Sequence, residues 1–75
     1  MSDAETLLRL DAAVESIAQN AGAGVQKAEL ENGLWVISIE PIGDEQGTWA
    51  VTGSGPTEAV ALSRLIANAK AEGLA

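Results

Sequence analysis

Four serines, Ser16, Ser38, Ser54 and Ser63, are the nucleophile candidates of this chain, and none has a base to activate it, because the sequence contains no histidine and no cysteine. Without an imidazole there is no Ser-His-Asp relay and no general base poised near neutral pH. Without thiolate or imidazole the usual zinc ligands are missing as well. Carboxylates are plentiful. Glu40, Asp44 and Glu45 offer oxygens to a hard cation, but the alternating ligand spacing of a calcium loop is absent. Paired carboxylates also cleave glycosidic bonds, given a cleft between them. A chain of 75 residues buries only about 60% of its unfolded surface and has little room for such a cleft.

The remaining chemical candidate is "GSGPTEAVALSRLIANAK", Gly53–Lys70. A nucleotide-binding P-loop needs Lys and Ser or Thr directly after its last glycine, and Pro56 stands there instead. A dinucleotide fingerprint needs a third glycine where Glu58 stands, and a carboxylate at that point repels a pyrophosphate. Pro56 also removes one amide from any anion nest. The stretch therefore reads as a strand-to-helix corner, with Gly53 and Gly55 allowing the turn. No catalytic, cofactor-binding or metal-binding set emerges, and the expectation is a protein that is not an enzyme.

The elements around these residues follow from periodicity. Ser2 and Glu5 make a capping box, and Leu7, Leu10, Val14, Ile17 and Ala21 recur on one helical face up to Gly22, with Leu8 off that face. Asn32-Gly33 predicts a two-residue hairpin turn. That turn sets Leu30 against Trp35, Ala28 against Ile37 and Gln26 against Ile39. Ala28, Leu30, Trp35, Ile37 and Ile39 then share a core face. Lys27, Glu29, Glu31, Leu34, Val36, Ser38 and Glu40 share the opposite one. Pro41 closes the second strand. Residues 43–47, "GDEQG", form a polar loop, and "TWAVTG" is a third strand with Trp49 and Val51 inward. A last helix opens with Gly55 as cap and Pro56 as its first residue. It buries Ala59, Leu62, Leu65, Ile66 and Ala69, turns Val60 away, and stops at Gly73. The expected architecture is a single α+β domain over residues 1–75, ordered α-β-β-β-α, with two helices on one face of a three-stranded antiparallel sheet. Trp35 and Trp49, with no Phe or Tyr in the chain, are expected to supply most of the core's bulk.

Eleven acidic residues face four basic ones, Arg9, Lys27, Arg64 and Lys70, for a net charge of −7. Such a body repels phosphate and anionic lipid and attracts basic surfaces. No apolar run approaches the ~18 residues of a membrane span, and "MSDAETLL" is acidic where a secretory signal is basic. A cytoplasmic protein is expected, the host cytoplasm if the chain is phage-encoded. On the uncovered sheet face the apolar Leu34 and Val36 would sit among Glu29, Glu31 and Glu40, with Asp44 and Glu45 near by. An apolar centre with a charged rim is the composition of a docking face.

Two resemblances add to this reading. The α-β-β-β-α order resembles the double-stranded-RNA-binding fold and its truncated relatives, such as the antitoxin half of some toxin–antitoxin pairs. That family binds RNA through lysines at the start of its last helix. Here the place reads "GPTEAVAL", so the fold carries over and RNA binding does not. The stretch "GTWAVTGSGPTEAVALSRLIANA" is similar to small phage-encoded helix–sheet–helix proteins, and the short, acidic, cysteine-free chain resembles anti-CRISPR proteins. That second resemblance implies an inhibitor that binds a basic component of a host interference complex, such as a CRISPR-Cas effector subunit, and blocks access of target DNA. Its contacts would be Glu29, Glu31, Leu34, Val36, Glu40, Asp44 and Glu45, with no cofactor and no direct binding of nucleic acid or membrane. The alternative is an antitoxin-like or regulatory module that dimerises through its sheet or helix edges. Monomer and homodimer both fit the sequence.

Overall fold

The computed structural model describes residues 3–42 and 49–74. Its elements are α1 (Asp3–Ala21), β1 (Ala23–Glu29), β2 (Trp35–Pro41), β3 (Val51–Gly55) and α2 (Glu58–Ala71). The sheet is antiparallel with β2 in the centre, and both helices cover one face of it. The α+β fold in the order α-β-β-β-α is as the periodicity predicts. The Ser2 cap and the polar loop over residues 43–47 lie outside the described residues.

α1 packs through the expected stripe. Val14 and Ala18 are buried, Ile17 nearly so, and Leu7, Leu10 and Ala21 border the core. Gly22, at φ +66°, ends the helix in the left-handed region that favours glycine. Ile37 and Ile39 of β2, Val51 of β3, and Ala61, Leu62, Leu65 and Ala69 of α2 complete a cluster drawn from all five elements. Its largest buried side chains are aliphatic. Trp35 and Trp49 are half-buried at its border, so the expectation that the indoles make up most of the core is corrected.

The hairpin departs from the expected register by one residue. Leu30 N–H donates to Leu34 O at 2.8 Å and Gly33 N–H to Leu30 O at 2.9 Å. Gly33 has φ +83°, and Leu34 N–H donates to Asn32 Oδ1 at 3.0 Å. The loop is thus three residues, Glu31-Asn32-Gly33, a tight turn followed by a left-handed glycine. Lys27 consequently opposes Ile37, Ala28 opposes Val36 and Glu29 opposes Trp35. Residues directly opposite share a face. Lys27 and Glu29 therefore lie on the helix-bearing side, and Gln26 and Ala28 on the uncovered side, the reverse of expectation. The carboxylate is not buried by this slip, because only the start of β1 lies deep; Ala23 is buried while Glu29 is exposed.

The glycines of "GSG" are not a corner. Gly53 and Gly55 belong to β3, opposite Ile37 and Trp35, and both are buried. A Cβ on Gly53 would collide with Ala61 O and Leu65 N and come within 2.7 Å of Leu65 Cα. A Cβ on Gly55 would lie 2.9 Å from Val60 Cβ. The missing side chains let the backbone of α2 lie directly on β3. Val60 therefore joins the contact surface of α2, although its spacing had turned it away, and Ala61 is buried beside it. The helix starts two residues later than expected. Thr57 is the cap, its Oγ1 accepting from Val60 N–H at 3.2 Å. At the other end Leu74 N–H donates to Ala69 O and Gly73 N–H to Lys70 O, with Gly73 at φ +80°. This is a Schellman stop, and Leu74 folds back onto the core.

Candidate functional site: the uncovered sheet face and the hairpin end

The uncovered face is built from the even-numbered positions of the strands. Across the three strands, Ala28, Val36 and Ser54 form one row, and Gln26, Ser38 and Thr52 the next; Gly24 pairs with Glu40. The face is small and mostly neutral, with Val36 half-buried at its centre. Beyond Pro41 the pairing continues, since Ile42 N–H donates to Gly22 O at 3.1 Å. The Ile42 side chain lies 3.7 Å from where a Cβ of Gly24 would stand, and the residue is 71% exposed.

The residues expected to form one docking face are therefore divided. Val36 and Glu40 lie on the uncovered face. Glu29, Glu31 and Leu34 belong to the hairpin end, with Glu29 on the helix-bearing side, Glu31 in the turn and Leu34 half-buried just after it. Asp44 and Glu45 lie outside the described residues. Ile42 was missed because the strand was taken to end at Pro41. Continuing the alternation from Glu40 would have found it.

Lys27, expected in solvent on the uncovered face, emerges instead between the helices. Its Nζ donates to Asp11 of α1 at 2.6 Å and to Glu58 of α2 at 3.1 Å. The hydrogen bond to Asp11, helped by the one to Glu58, raises the Lys27 pKa above its ordinary 10.5 in spite of partial desolvation. Arg64 donates to Ser54 O at 2.8 Å and Asn68 to Thr52 O at 2.6 Å, so α2 grips the outer edge of β3.

The glycines of β3 leave no hollow for a phosphate, since Val60, Ala61 and Leu65 occupy the space above them. Among the described residues no group of three or more acidic, cysteine or histidine side chains is placed to hold a metal ion. An open hollow of about 190 Å³ is lined by Trp49, Ala50, Val51, Glu72 and Leu74, below the ~300 Å³ at which small-molecule pockets usually begin. No described helix is long and apolar enough to cross a membrane. Comparison with protein-family models, curated proteins and solved structures gives no match to this chain.

Proposed function

We propose that this chain is a small acidic inhibitor that acts by binding a basic, nucleic-acid-binding protein. In its sharpest form it is a phage anti-CRISPR that occupies a basic surface of the host interference complex and keeps target DNA away. The observation that carries the reading is the charge balance. The chain has eleven acidic residues to four basic ones, a net charge of −7, and of the basic ones Lys27 is held by two carboxylates. An acidic field favours capture of a partner of opposite sign. The hairpin end, with Glu29 and Glu31, and the uncovered face, with Val36 and Glu40, are the two surfaces that could make the contact.

The test is affinity capture from a host lysate followed by binding of the purified partner in a salt series. A basic protein whose affinity falls as salt rises is expected. Reversing Glu29 and Glu31 to Lys, and separately Glu40 to Lys, identifies which surface is used. Unchanged affinity in both variants would remove these carboxylates from the interface. A second reading, a regulatory dimerisation module, is favoured by Ile42 and by Leu30, which is 45% exposed. Sedimentation over a dilution series separates the two, since only the second yields a stable homodimer.

A further inference from the structure

The two edges of the sheet are treated differently. In an antiparallel ladder, alternate residues direct both backbone groups toward one neighbour and the residues between them point away. Leu30 bonds Leu34 across the hairpin and Ile42 bonds Gly22. The even positions of β1 therefore face β2, and Val25, Lys27 and Glu29 present their N–H and C=O groups outward. By the same alternation Thr52 and Ser54 face outward from β3, where Asn68 and Arg64 occupy their carbonyls. Among the described residues, no hydrogen bond is made to the outward row of β1.

We infer that the outer edge of β1 accepts an additional strand, supplied by an extended basic segment of the binding partner. This deepens the function proposed above and rests on it for the sign of the partner's charge. Charge selects a bare basic segment over a second copy of the chain, because two chains each of net charge −7 repel one another. On the helix-bearing side the incoming strand would lie beside Val25, under the flank of α1. On the uncovered side it would run past Gly24, which pairs with Glu40 on the next strand and has the Ile42 side chain beside it. Basic side chains on that face would extend past Ile42 toward the Glu40 carboxylate. Lys27, an inward-facing charge of the kind that discourages indiscriminate edge pairing, is already satisfied by Asp11 and Glu58, so the edge remains selective without being closed.

The experiment is amide hydrogen exchange on the isotope-labelled full chain with an alternating valine–lysine heptapeptide. Slowed exchange is expected at Val25, Lys27 and Glu29 and not at Gln26 or Ala28. No slowing at the three outward amides, or slowing spread evenly along β1, overturns strand addition and leaves the acidic-docking reading standing. If an alternating valine–glutamate heptapeptide slows the same amides equally, strand addition holds and the charge-based reading falls. Glu29→Pro removes an outward donor without touching the β2 ladder, and Glu29→Gln removes the same charge while keeping the donor; both should keep the wild-type circular dichroism, and only the proline variant should lose the slowing. Should it fail to fold, a valine–lysine peptide methylated on alternate backbone nitrogens replaces it as the test, and retained slowing with that peptide refutes the inference. A dimer joined through β1 in sedimentation would also overturn it.

Discussion

Gly53 is the residue on which the seating of α2 depends, and substituting it separates packing from backbone freedom. Gly53→Ala inserts a methyl group into the backbone of Ala61 and Leu65 and is expected to cost about 3 kcal/mol, read as a lowered urea midpoint. Gly24→Ala is the control, because its added carbon meets Ile42 Cγ1 at an ordinary 3.7 Å; a change within about 0.5 kcal/mol is expected. Equal effects in the two variants would refute the close approach. Lys27 makes a different kind of prediction. Its raised pKa means that folding tightens its hold on the proton, so its contribution is complete below 10.5 and disappears as pH climbs through the raised value. The stability advantage of wild type over Lys27→Met should therefore be constant through neutral pH and shrink under alkali, in denaturant titrations at several pH values. At this scale the sequence was misleading for a physical reason. A glycine pair reads as a turn because glycine tolerates positive φ, yet Gly53 and Gly55 do not use that freedom. They are needed for the atom they lack, which only the facing helix reveals.

At the scale of elements, identity and order were legible and boundaries were not. The apolar stripe of α1 and the alternation of β2 survive because each has a single buried face. The hairpin register did not survive, because Asn32 lends its side chain to Leu34 N–H and so stabilises a three-residue loop over the two-residue one. That single residue divided the candidate docking face. The start of α2 was displaced because Pro56 suggested a first helical residue, whereas the hydroxyl of Thr57 accepts from Val60 N–H, one of the first free amides. Thr57→Ala should lower stability by about 1 kcal/mol, whereas Pro56→Ala should change it little. Equal losses in thermal unfolding would restore Pro56 to the helix. The grip of α2 on the β3 edge is testable in the same way. Replacing Arg64 and Asn68 together by Ala frees the carbonyls of Ser54 and Thr52 and should raise self-association in light scattering, since an uncovered strand edge is a template for pairing.

At the scale of the whole molecule, the acidic balance was plain from composition, but its distribution was not. Only the folded chain shows that Lys27 ties both helices to the sheet while Glu29 and Glu31 crowd the hairpin end. Trp35 and Trp49, half-buried at the border of the core, should give emission between that of sealed and free indole, with partial quenching by acrylamide. Full quenching at the rate of free tryptophan would contradict the packing. The glycine floor beneath α2 has one more consequence. Glycine is a poor strand former, so Gly53 and Gly55 weaken the second half of β3 and its pairing with β2 leans on the helix that lies on it. β3 and α2 should accordingly appear and vanish together. A chain cut after Pro56 should lose the third strand along with the helix, and in the full chain the amides of both should open in a single cooperative step.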